Sequence, residues 1–230
     1  MTLINPSPQR RRVPVAVPAL RSIAPSRSAG LLDRGDLLHL YHSVMTMLAG
    51  DRPKILEVTS AVHGEGVSTV AGELAAVVAG DLGQSVLLIA AASEEAAPEG
   101  LEAVAGSALP FERAVDPDRR IPFLYRARLA TGGANAGLLF NDGDLDRLFA
   151  QALRFAQFVI IDAPPVLADV TGVALARRVG AVLLVVEAEK TRASVVEQAR
   201  RNIEAAEGRL CGVVLNKRRR RIPRAIERRL

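Results

Sequence analysis

Residues 59–79, TSAVHGEGVSTVAGELAAVVA, join an apolar run to a helical pattern through Gly64 and Gly66, and a hydroxyl pair, Ser68 and Thr69, opens the helix. Phosphate binding calls for this arrangement. Glycines let several backbone N–H groups converge on oxyanions, and a helix N-terminus adds partial positive charge. In a magnesium-nucleotide loop the last glycine is followed by Lys and then Ser or Thr; the lysine reaches the terminal phosphates and the hydroxyl ligates the metal. Here those positions read Gly66, Val67 and Ser68, so the cradle is present and its lysine is not. A second chemically loaded segment, FVIIDAPP (158–165), ends an apolar run on Asp162, a carboxylate placed either to orient a metal ion or to cap a turn. A glycine-rich turn between strand and helix is, taken alone, an ordinary tight connection. The two segments carry weight only together.

The elements that must position these residues are legible from periodicity. Five short apolar runs, 54–60, 85–91, 158–162, 181–187 and 211–216, have the length and branching of buried strands. Helical patterns at 68–79, 145–157, 173–179 and 193–206 separate most of them, and Leu37, Leu40, Tyr41, Val44 and Leu48 line one face of an amphipathic helix over 36–48. Alternating strands and helices, with strands apolar on both faces, predict one α/β domain over 31–216 with a mainly parallel P-loop-type sheet flanked by helices on both faces. Residues 92–143 are rich in Ala, Gly and acids; a short helix near 99–106 and a strand at 122–129 are expected there.

The net charge of +5 conceals three regions of different sign. Residues 1–29 carry five Arg and no acid, residues 217–230 carry eight basic side chains against Glu227, and 30–216 has 17 basic and 24 acidic residues. An acidic domain thus lies between basic ends. Residues 1–30, with five prolines, predict a disordered arm. In 217–230, Ile222, Ile226 and Leu230 are spaced by four among arginines, which predicts either a solvated tail or an amphipathic helix lying on an anionic membrane surface. Nucleic acid is the less favoured partner, because no aromatic residues interleave with the basic ones. The single cysteine, Cys211, excludes a disulfide framework and fits a core position. His39 and His42 lack a third ligand and predict a helix face rather than a metal site. No apolar run is long enough for a transmembrane helix.

SAVHGEGVST (60–69) resembles the SAxPGEGKST loop of the bacterial tyrosine kinase family, the cytoplasmic partners or domains of polysaccharide co-polymerases. FVIIDAPPVLADVTGVALARRVGAVLLVVEAEKTR (158–192) resembles that family's magnesium-aspartate motif, following helix and strand, and KTR turn, and GVVLNK (212–217) its closing strand. The resemblance spans about residues 36–218. It implies nucleotide and phosphate contacts at Gly64, Glu65, Gly66, Val67, Ser68, Thr69 and Asn216, metal contacts at Ser68 and Asp162, and Mg-ATP or Mg-ADP as the bound cofactor. It also implies a membrane polysaccharide co-polymerase as partner, a place in the cytoplasm at the inner membrane, and homo-oligomers.

The departures fall on the residues that matter most for catalysis. Val67 replaces the loop lysine. The second acidic motif, hhhDxDxR, reads Ala90, Ala92 and Glu94. The ring-assembly motif ExxRxxR falls on His39, His42 and Met45, and the only tyrosines, Tyr41 and Tyr125, do not form a terminal cluster. Removing one well-placed transition-state donor costs about 3–4 kcal/mol, or roughly 10²–10³ in rate. Losing the candidate base at 90 and 92 costs a further 10²–10⁴, roughly and not additively. The expectation is therefore a catalytically impaired tyrosine-kinase-like protein of polysaccharide biosynthesis and export, in which weak nucleotide binding stays open. Two alternatives stand beside it: an active autokinase or ATPase using Arg192 or a neighbouring subunit's Arg as its cation, and a cell-division or partition-type positioning ATPase.

Overall fold

Each of the five apolar runs becomes a strand, and parallel pairing brings their C-terminal ends to one edge. The computed structural model describes residues 32–92, 100–105, 109–132 and 142–218. In chain order the elements are α1 (Arg34–Met47), β1 (Ile55–Ser60), α2 (Val67–Leu82), β2 (Val86–Ala92), α3 (Leu101–Ala105), a 3-10 turn (Phe111–Ala114), β3 (Asp116–Pro117), β4 (Leu124–Ala130), α4 (Asp142–Phe155), β5 (Phe158–Asp162), α5 (Val170–Ala176), β6 (Ala181–Glu187), α6 (Ala193–Ala205) and β7 (Leu210–Asn216). The strands form one seven-stranded sheet in the order β3-β4-β2-β5-β1-β6-β7. Every neighbouring pair is parallel except the short β3–β4 edge. The expected α/β fold with a mainly parallel sheet is the observed one.

Two cores form because residues along each strand alternate between faces. Leu56 and Val58 of β1 and Phe158 and Ile160 of β5 face α1 and α2, whereas Ile55, Val159 and Ile161 face α3 to α6. The predicted stripe on α1 is buried as expected, through Leu37, Leu40, Tyr41, Val44 and Leu48. Tyr41 packs edge-on against Phe158 and donates to Gln84 Oε1 at 2.6 Å. α5 begins three residues earlier than the periodicity indicates, because the Asp169 carboxylate caps it by accepting from Thr171 N at 2.8 Å. The region 92–143 supplies the expected α3 and β4, together with a 3-10 turn and an antiparallel edge strand that its composition did not announce. Residues 1–31, which include the N-terminal arm, and 219–230, all of the basic tail but Lys217 and Arg218, lie outside the described residues, as does Glu94. Among the described residues no helix is long and apolar enough to cross a membrane.

Candidate phosphate-binding site

In a parallel sheet, the loops leaving the C-terminal strand ends converge on one crevice. Here the loop after β1 (61–66) meets the segment after β5 (163–169), the turn after β6 (188–192) and the end of β7. Gly64 and Gly66 adopt φ of +84° and +96°, a left-handed backbone that glycine reaches without strain. No side chain caps α2, whose N-cap is Gly66 itself, so the first N–H groups of the helix are left facing the loop.

The loop is held by Glu65, only 1% exposed. One carboxylate oxygen accepts from Ala61 N at 2.9 Å and Val62 N at 3.0 Å; the other accepts from Glu187 N at 3.0 Å and from the Thr191 hydroxyl. Its backbone carbonyl accepts from Asn216 Nδ2 at 2.8 Å, and Asn216 Oδ1 accepts from Lys217 N at 2.9 Å. Lys217 Nζ donates to Gly64 O and pairs with Glu187 Oε2 at 3.2 Å. One carboxylate thus ties the loop to the ends of β1 and β6 and to the turn after β6, and one amide ties it to β7. The Glu65 side chain faces inward, so the loop presents backbone, rather than this carboxylate, to a ligand.

The Asn216 amide, bonded through both its nitrogen and its oxygen, also sets the cost of altering Gly66. A Cβ there would lie 2.2 Å from Asn216 Nδ2. Gly66→Ala is expected to lose about 3 kcal/mol, through the left-handed φ and the clash together, measured as a shift in the urea midpoint at unchanged m-value.

Asp162 is set by an equally well anchored segment. Ala163 N donates to Val58 O at 2.9 Å, Val166 N to Ser60 O at 2.9 Å, and the Thr59 hydroxyl to Pro164 O at 2.7 Å. α5 approaches so closely that a Cβ on Gly172 would lie 2.4 Å from Pro164 O. The half-buried Asp162 carboxylate hydrogen-bonds the Ser68 side chain; burial raises its pKa above the ordinary carboxylate value, and the Ser68 contact partly offsets this. A hydroxyl beside a carboxylate at the head of α2 is a donor set that suits one hard divalent cation.

The second carboxylate of such a site is missing. Ala90 stands in register with Asp162 on one side and with Arg128 of β4 on the other. Val67 is half-buried and packs against the α1–α2 core. Between these walls lies a cleft of about 760 Å³, lined by Ser68, Ala90, Asp116, Arg126, Arg128 and Asp162 among others.

The structure therefore brings Gly64, Glu65, Gly66, Val67, Ser68, Thr69, Asp162 and Asn216 into one neighbourhood. Thr69 is exposed as the third residue of α2, and Asn216 braces the loop from the β7 side. Sequence reasoning placed Lys217 in the basic tail, and it did not single out Thr191 or Arg128. Glu65 between the two loop glycines was the local signal that a carboxylate would be consumed there, but its partners 122 and 126 residues away carried none. His39 and His42 sit on an exposed face of α1, and no metal-holding cluster occurs among the described residues. Cys211 lies in β7, where burial pushes its thiol up to about 12.

The strand order, the braced glycine loop and the Ser68–Asp162 pair define a P-loop-type α/β domain. Solved structures place it more narrowly. The kinase domain of Escherichia coli tyrosine kinase ETK superposes with a TM-score of 0.71 at 22% identity, over 86% of this chain and 84% of that one. The VpsO kinase domain does so at 0.64 and 25% identity, over 80% of this chain and 98% of that one. The MinD cell division protein of Aquifex aeolicus gives 0.56 at 18% identity, over 76% and 72%. The chain has the fold of the bacterial tyrosine kinase domains, and the likeness to that family read from its motifs is supported by its structure. No protein-family model and no curated protein matches the sequence.

Proposed function

We propose that this chain is a catalytically impaired tyrosine-kinase-like protein of bacterial exopolysaccharide or capsule-type biosynthesis and export. It acts by contact with a membrane co-polymerase at the cytoplasmic face of the inner membrane, with residues 217–230 against lipid or partner. The observation that carries the reading is a phosphate loop fully built and braced, while the charges that would drive transfer are replaced by Val67, Ala90 and Ala92. The site fits a magnesium nucleotide: Ser68 and Asp162 would hold the metal, and the backbone of 64–69 would receive the phosphates. The ion, when bound, supplies charge neutralisation to the phosphate oxygens. The acceptor side is depleted as well. Tyr41 is buried against Phe158, and Tyr125 packs edge-on against Phe155 at 4.9 Å, so neither tyrosine of this sequence stands free as an acceptor.

Calorimetric titration with Mg-ATP and Mg-ADP tests the reading. Wild type is expected to bind weakly and to form no phosphotyrosine, and Val67→Lys to bind about tenfold more tightly, the worth of one charged phosphate contact. Phosphotyrosine on purified wild type overturns the impaired-kinase reading, and absence of binding by both proteins reduces the domain to a scaffold. The likeness to MinD supports a second reading, a positioning ATPase with a surface-seeking tail. ATP turnover stimulated by vesicles or DNA would favour it, whereas a neighbouring gene for a two-helix co-polymerase favours the first.

A further inference from the structure

We infer that Arg128 supplies the cation to the terminal phosphate of a nucleotide seated on residues 64–69, from the β4 wall of the cleft that Ser68 also lines, where Val67 brings no charge. The inference rests on nucleotide binding at that loop and adds the residue that makes it electrostatically feasible. Arg128, Ala90 and Asp162 lie side by side on β4, β2 and β5, in one register row and on one sheet face. Strands spaced about 4.8 Å apart put the outer two Cα atoms about 10 Å from each other, a gap an extended arginine bridges. Ala90 leaves that path open. It is exposed at the C-terminal end of an otherwise largely buried strand, and its methyl group adds little bulk between the two neighbouring strands.

Arg128, Asp162 and Ser68 line the same cavity, so β4 and the head of α2 border one volume. Two residues earlier, Arg126 is opposite Leu88, farther from the C-terminal strand ends. Arg128 is therefore the arginine at the level of the phosphate loop. Its planar fork suits two phosphate oxygens at once, which a lone ammonium does not match.

The test is calorimetric titration of the full chain with ATP and with AMP, each in EDTA and in Mg²⁺. Wild type is expected to bind ATP in EDTA, since this cation needs no metal. Arg128→Gln is expected to weaken ATP at least tenfold and AMP less than twofold, and Arg126→Gln to stay within twofold for both. Arg128→Lys should recover part of the loss, and adding Val67→Lys to Arg128→Gln should return ATP affinity to near wild type. Far-ultraviolet circular dichroism and the urea midpoint verify that each variant is folded. If Arg128→Gln binds ATP within twofold of a binding wild type, the inference falls while nucleotide binding stands. If wild type binds no ATP under either condition, the nucleotide reading falls and takes the inference with it.

Discussion

Glu65→Ala is expected to lower stability by about 4 kcal/mol and to abolish nucleotide binding, because hydrogen bonds to a charged group are worth about 1.5–3 kcal/mol each and buried donors left without partners cost more. Four donors meet this carboxylate: Ala61 N, Val62 N, Glu187 N and the Thr191 hydroxyl. Truncation leaves them facing a cavity beneath the loop. For a domain of this size the thermal midpoint should fall by about 10 °C. Glu65→Gln keeps the shape but turns an NH2 group toward donors, and should lose roughly half as much. If Glu65→Ala unfolds within 1 kcal/mol of wild type, by about the error of extrapolation, the bracing role is wrong. A decisive contrast is Thr69→Ala, an exposed position expected to leave stability within about 0.5 kcal/mol.

Glu57→Leu is the second large effect, and it runs the other way: the variant is expected to be more stable than wild type at neutral pH. Glu57 is fully buried in the central strand β1, its neighbours in register are Ile161 and Val182, and neither carboxylate oxygen has a hydrogen-bond partner. Desolvation holds its pKa well above the ordinary 4.5, so the folded chain keeps a proton that the unfolded chain releases. Between those two pKa values the folded state binds the extra proton. Raising the pH through that window therefore favours unfolding, by up to about 1.4 kcal/mol per pH unit. Wild-type stability should decline from about pH 5 upward through this group, and Glu57→Leu should remove that part of the slope and gain about 1–3 kcal/mol at pH 7, the cost of a buried polar group left without partners. The raised carboxyls of Glu73 and Asp162 titrate in the same direction in both proteins and cancel in the comparison. Urea midpoints at pH 5 and pH 8 decide the matter: parallel pH profiles for the two proteins would rule out a neutral buried Glu57.

The two substitutions show why some of this molecule was legible in the sequence and some was not. Strands buried on both faces read as uninterrupted apolar runs, so β1, β2, β5, β6 and β7 could be placed to within a residue or so. The glycine spacing and hydroxyls of 64–69 announced a phosphate loop because its geometry is local: φ values near +90° at two positions follow from the residues themselves. The loop and Asp162 could likewise be joined by resemblance, and the structure puts Ser68 against Asp162. The start of α5 was misplaced because its cap, Asp169, lies outside the apolar periodicity.

The class of fold, the phosphate loop and the absence of its lysine were readable from residues close together along the chain, since each is written in a single stretch or in the types of residues present. What the charged residues do depends instead on contacts made across the fold. Glu57 and Glu65 are both glutamates in or beside the same strand. One is an unpartnered side chain inside the core, its carboxyl pushed well above the ordinary range by burial, and the other is the anchor of the loop. Arg128 gained its place opposite Ala90 from strand order, which brings β4, β2 and β5 together although 34 residues separate Arg128 from Asp162 along the chain. Periodicity reports which face a residue takes on its own strand, but the partner on the next strand is set by how the chain crosses over, and the energy of a charge depends on that partner.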